Sequence, residues 1–220
     1  MQVVQVVLVI VVLIFSVVIH EVAHAWQARR EGDDTAERLG RITLNPLPHL
    51  DLIGSFIVPA VLYVTHAGFL FGWAKPVPVN PAYYRDFRGG DIRVSLAGIV
   101  ANLGLAVLST LAAALIVMAG NAVGSLGGVT GVLFQMAQYG IAINLVLAFF
   151  NLIPIPPLDG SHVLFHLLPP SAAIRYHRAG RYGILVVVAV LLFLPHVFDT
   201  LLTPVWWLLG LADSFIRLWI

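Results

Sequence analysis

In VVQVVLVIVVLIFS (3–16) only Gln5 and Ser16 are polar. An apolar run of about 20 residues is the length of one helical crossing of a ~30 Å hydrocarbon layer. Runs of that kind predict helical spans over about 2–25, 93–118 and 130–151. A further apolar stretch, 183–219, is divided by Pro195, His196 and Asp199, which predicts a short fifth segment (183–195) and a sixth (200–219). Residues 52–72 are apolar too, but Gly54, Pro59, His66 and Gly68 interrupt them. Stretches such as LVIVVLIF and GILVVVAVLLFLP do not alternate, whereas the strands of a membrane barrel alternate apolar and polar over about ten positions. The expected fold class is an all-α polytopic membrane protein, with about five transmembrane helices plus a re-entrant segment. It forms one domain over 1–220, because the longest polar stretch, 27–51, is too small to bury a core of its own.

Composition points the same way. The chain is 60% hydrophobic and 10% charged, with a mean hydropathy of +0.94, whereas a soluble domain carries about 25% charged residues. Lipid, not water, is then the solvent for most of the surface, and helices satisfy their own backbone groups there. A net charge of +1, with no basic stripe interleaved with aromatics, argues against a nucleic-acid partner. The absence of cysteine excludes disulfides and thiolate metal ligands. MQVVQVV has no basic residue, and the apolar run exceeds the 7–15 residues of a leader, so 2–25 reads as a retained span despite the small-x-small Ala23-His24-Ala25.

Basic residues orient the spans. Arg29, Arg30, Arg38 and Arg41 precede segment 52–72, and Lys75, Arg85, Arg88 and Arg93 follow it. Arg175, Arg178 and Arg181 follow the 130–151 span, and Arg217 is near the C-terminus. Segments 119–129 and 195–200 have none, so these two are expected outside and the rest in the cytoplasm. Both flanks of 52–72 are basic, so that segment is expected to dip into the membrane and return.

Chemistry enters at VVIHEVAHAW (17–26). His20 and His24, at i and i+4, share a helix face and can reach one zinc ion. Glu21 is about 100° round from His20, where it can take a proton from water activated by the ion, as in a metalloprotease. Ionisable groups inside a span are costly, which makes a chance match a poor explanation. Catalytic zinc takes three protein ligands and keeps a position open. Candidates for the third are His49, Asp51, His66, Asp159, His162, His166, His196 and Asp199. Asp159 stands out, because Pro154, Pro156 and Pro157 break the preceding helix and Gly160 follows it; His66 is the rival. With 52–72 re-entrant, Asp159 emerges on the same side as His20. With 52–72 spanning, it would start from the opposite side, about 30 Å away.

Together these residues resemble the site-2 protease family of intramembrane zinc metalloproteases. HEVAH matches its zinc motif, and NLIPIPPLDG its N-x-x-P-x-P-x-L-D-G segment, whose Asp is the third ligand. GRITLNP, HLDLIGSFIVP and GWAKPVPVNP resemble the short bacterial branch without regulatory domains. LAGIVANL resembles the A-G-P-x-x-N stretch, with Asn102 at its Asn and Ile99 where Pro is usual. The resemblance implies one Zn2+ per chain held by His20, His24 and Asp159, Glu21 as general base, and auxiliary or substrate-binding roles for Asn102 and Asn151. It further implies a multi-pass protein of the bacterial inner membrane, with the zinc towards the cytoplasm. The substrate would be a single-span or signal-anchor membrane protein in the lipid bilayer. GWAKPVPVNP, kept extended by its prolines, is expected to pair with an unwound substrate. A metal-ion transporter is the alternative. It would spread ionisable groups along several spans, whereas here they gather at one depth, and Glu21 is surplus to transport. An inactive scaffold is disfavoured by the intact His20, Glu21, His24 and Asp159.

Overall fold

The computed structural model describes residues 3–58, 61, 64, 74–123 and 128–219. Helix α1, Val3–Glu31, contains no proline or glycine and runs unbroken for 29 residues, about 43 Å at 1.5 Å per residue. It stops at Gly32, whose φ of +118° suits a residue without Cβ, and an added Cβ would lie 2.8 Å from Tyr83 O. A four-residue helix, α2 (Thr35–Arg38), follows. The chain resumes at Phe87 with α3, Phe87–Val123, and α4, Val129–Asn151. Beyond the proline-broken 152–159 come α5 (Gly160–Leu167), α6 (Pro170–Ala179), α7 (Gly183–Phe193), α8 (Pro195–Leu201) and α9 (Thr203–Arg217). The described residues are helical or irregular, without strands.

Four helical stretches are long and apolar enough to cross a membrane among the described residues: Val3–Glu31, Phe87–Asn121, Val129–Asn151 and Pro170–Phe193. Helix α9 has 15 residues, about 22 Å, short of the ~20 residues a full crossing takes. Large apolar side chains such as Ile10, Phe15, Leu108, Leu115 and Leu185 point outward, as they do where lipid is the solvent. The main core joins α3, α4 and α9 through Ala106, Ala113, Val117, Ile141, Leu145 and Val205.

The two flanks of segment 52–72 meet at one end of α1. Lys75 N–H donates to His49 O (2.9 Å), and Arg41 Nη2 donates to Lys75 O (2.8 Å). Asn80 N–H donates to Asp33 Oδ2 (2.6 Å). The two flanks therefore lie together, as the basic residues required. Most of the path between them, residues 59, 60, 62, 63 and 65–73 with His66 included, lies outside the described residues. Asp51 starts the segment by accepting from Gly54 N–H (2.6 Å), an anchoring role.

Segment 195–200 departs from the sequence reading. It does not lie at the end opposite Asp159: Phe198 stacks edge-on against Phe150, centroids 6.1 Å apart, and packs on the cluster of Ile153, Leu158 and Val187. From Tyr176, whose hydroxyl donates to Pro154 O (3.0 Å), to Phe198, the chain stays against 150–158. Helix α9 then runs to the far end, where Asn121 Nδ2 donates to Trp219 O (2.7 Å). Arg217 is thus carried away from the other basic residues. The physical reason is packing: Gly183 lies against Pro156 and Val187 joins Ile153 and Leu158 in one cluster, so α7 stays beside 150–158. Arg217 was also a weak guide, because Asp213 one turn earlier pairs with it (2.6 Å).

Candidate metal centre

His20 and His24 lie on one face of α1, at a depth where α3 crosses closely. Gly98 allows that approach: a Cβ there would stand 2.5 Å from His20 Cε1 and 2.6 Å from His24 Nε2. His24 Nδ1–H donates to Val94 O (2.7 Å). A carbonyl can only accept, so Nδ1 carries a proton, and in the neutral imidazole Nε2 then presents its lone pair. His20 Nδ1 is 2.5 Å from Asn102 Oδ1, which turns His20 Nε2 the same way. The two Nε2 atoms stand 3.0 Å apart, and the rings meet edge-on.

Asp159 closes the triangle from the turn before α5, its Oδ2 3.2 Å from His20 Nε2 and 3.4 Å from His24 Nε2. Gly160 serves close packing here rather than a special backbone angle, because a Cβ would collide with Leu152 O. Gly183 does the same for α7, where a Cβ would collide with Pro156 O. Asp159 Oδ2 is buried without a hydrogen-bond partner. Three electron-pair donors facing one point in a buried space repel unless a cation lies between them. Donors at about 2.0–2.1 Å from a tetrahedral zinc stand about 3.3 Å apart, so the observed 3.0–3.4 Å triangle fits that ion. His20, His24 and Asp159 are the metal-holding group found among the described residues.

Glu21 borders the same cavity, about 570 Å³, and accepts through Oε2 from Val77 N–H (2.8 Å). Val77 belongs to the non-helical stretch 74–80, which forms one wall. Asn151 lines the cavity, with its Nδ2 bonded back to Leu147 O (3.0 Å). Asn102, fully buried, is engaged at both ends of its amide, by His20 and by Asn144, so it stands behind His20 and does not face the cavity.

The other histidine candidates among the described residues are not brought to the triangle. His49 is buried, with Nε2 3.0 Å from Thr43 O. His162 Nδ1 and His166 Nε2 flank Asp91 Oδ2 at 3.1 and 2.8 Å. They tie α5, and so Asp159, to the first turns of α3, and the bond to Asp91 pushes the His162 imidazole above its ordinary value. His196 and Asp199 are exposed. Sequence reading missed Gly98, Asn144 and Asp91. A lone polar residue within an apolar run was the only signal for Asn144.

Comparison with known proteins follows this geometry. The model of peptidase family M50 matches residues 8–194. YwhC of Bacillus subtilis, named as a candidate zinc metalloprotease, is 40% identical over 177 residues, covering 80% of this chain and 76% of its own. Rip2 of Mycolicibacterium smegmatis, similarly named, is 32% identical over 194 residues, 84% of this chain and 67% of its own. Rip2 of Mycobacterium tuberculosis is 30% identical over 212 residues, 96% and 76%. No solved structure matches the chain.

Proposed function

This chain belongs to peptidase family M50, the site-2 protease family, and from that premise we propose that it cuts membrane-protein substrates inside or beside their transmembrane segments, with Glu21 as general base. It is an integral membrane zinc metalloendopeptidase. The observation that carries the finer reading is that His20, His24, Asp159 and Glu21 border one cavity lined mainly by apolar residues, from helices and from the stretch 74–80.

Zinc held by His20, His24 and Asp159 supplies a Lewis acid that acidifies water and polarises a carbonyl. Val77 N–H holds Glu21 by Oε2, which leaves Oε1 as the atom that takes a proton from the attacking water and passes it to the departing amine. Leu147, Phe150, Leu158 and Val187 make the cavity wall apolar, suited to a hydrophobic segment and to excluding bulk water. A transmembrane helix hides its carbonyls in i→i−4 bonds and must unwind before attack. The non-helical stretch 74–80 lies beside the site, and its prolines 76 and 78 keep it from becoming helix, which leaves it free to pair with an unwound strand. All lysines and arginines except Arg217 lie in loops or helix ends on the side of the metal centre. By the charge rule that side is cytoplasmic, in a bacterial inner membrane.

Co-expression with a library of single-span membrane proteins, followed by mapping of the cut bond, tests this reading. Cleavage within or at the edge of the apolar segment, lost with Glu21→Gln, is expected. Cuts confined to distant soluble loops, or cleavage that survives Glu21→Gln, overturn it.

A further inference from the structure

The amide of Asn102 stands between His20 on α1 and Asn144 on α4, and all three side chains are buried. His20 Nδ1 is 2.5 Å from Asn102 Oδ1. Asn102 Nδ2 donates to Asn144 Oδ1 (2.7 Å), and Asn144 Nδ2 donates to Gly140 O (2.8 Å) and Ser16 Oγ (2.9 Å). A carboxamide turned end for end keeps its shape, so such a chain can run in two senses and its neighbours choose between them.

Here the choice is made at backbone carbonyls: Gly140 O orients Asn144, and Ser16 O, 3.4 Å from Asn102 Nδ2, favours the same sense more weakly. A backbone carbonyl only accepts, so Asn144 must present its NH2 to Gly140 O and its oxygen towards Asn102. Asn102 must then present its NH2 to Asn144 and its oxygen to His20, and that oxygen requires a proton on Nδ1. A neutral imidazole has one N–H, so His20 Nε2 is left as a bare lone pair facing His24 Nε2 and Asp159. Ser16 Oγ can donate or accept, so it fixes no sense. His24 reaches the same state through one carbonyl, Val94 O. His20 reaches it through two side chains.

Resting on the reading of His20 as a metal ligand, we propose that Asn144 is a positioning residue of the metal centre. Anchored on Gly140 O, it sets the tautomer and ring angle of His20 through Asn102, from a place that does not border the catalytic cavity. Groups that orient a ligating histidine typically govern metal affinity by about 10–100-fold. An ordinary helix–helix hydrogen bond in the membrane would instead act on stability alone.

The test uses the full chain in detergent, with zinc affinity and the visible spectrum of the Co2+-substituted protein as readouts. Asn144→Leu should weaken zinc by about 10–100-fold and alter the Co2+ bands, whereas Ser16→Ala should stay within about twofold of the parent. Where leucine does not pack, Asn144→Ala carries the same expectation. The double variant Asn102→Asp with Asn144→Leu should recover affinity to within about threefold, because a carboxylate accepts from Nδ1–H whichever way it is turned. Unchanged affinity and bands in Asn144→Leu, an equal loss in Ser16→Ala, or no recovery in the double variant overturns the proposal while leaving zinc in the parent. A parent protein that binds no zinc overturns the ligand reading as well.

Discussion

Asp159 Oδ2 is buried without a hydrogen-bond partner, and the Nε2 atoms of His20 and His24 face it at 3.2 and 3.4 Å. That cost is relieved by a bound cation, so the metal and the side chain depend on each other. Asp159→Ala should therefore lose zinc, read as metal content of the purified protein; full retention would remove Asp159 from the ligand set. Glu21→Gln should behave in the opposite way, keeping one zinc per chain and losing cleavage, because an amide keeps the acceptor for Val77 N–H but cannot take a proton. Loss of the metal in Glu21→Gln would make Glu21 a structural residue. That His20, His24, Asp159 and Glu21 would border one cavity was legible in the sequence because it is written in spacing: i and i+4 on a helix, and an Asp framed by three prolines. Asn144 and Gly98 were not. A single Asn or Gly in an apolar run looks the same whether it glues helices or shapes a site, and only the neighbour across the interface decides.

Helix α3 shows how much of an element's role lies outside its own pattern. Its apolar run predicts a span and no more, yet one face carries Val94, Gly98 and Asn102, one turn apart, against the two histidines. Gly104 lies on the same helix with nothing within 4 Å of an added Cβ. Alanine at the two positions should therefore give opposite results. Gly98→Ala must push α3 away from both imidazoles, lowering zinc content and melting temperature together. Gly104→Ala adds a methyl in open space and should leave zinc content unchanged, with the melting temperature level or raised. Equal effects at both positions would mean that the close approach at Gly98 does not govern the site. The same limit explains α7 and α8. The first reads as a crossing and the second as the turn beyond it, but Gly183 and Phe198 both pack against 150–158, and contacts between distant elements leave no periodicity in either one.

At the scale of the molecule, the bundle has two unlike ends. One gathers the metal centre, the flanks of 52–72 and the basic loops, with Arg93 bridging to Glu31 through Nη2 (2.7 Å). The other holds the start of α1, the Val123 and Val129 helix ends, and Trp219 beside Asn121. Charge counting found the first end correctly, because several basic residues in each loop outweigh any exception. It misplaced the C-terminus, because there the count rested on one arginine already paired with Asp213. The chain has no native cysteine, so single cysteines at Asp34, Tyr83, Val129 and Leu218 report the topology without background; Tyr83, Val129 and Leu218 are well exposed, and Asp34 is partly so. A membrane-impermeant thiol reagent added from outside intact cells should label the Val129→Cys and Leu218→Cys variants and spare the other two. Labelling of Tyr83→Cys from outside would separate the flanks of 52–72 and break the hydrogen bonds that join them. Protection of Leu218→Cys would return α9 to the direction that charge alone gave it. The core that α9 forms with α3 and α4 could not then stand as drawn, because Asn121 and Trp219 would lie on opposite sides of the membrane.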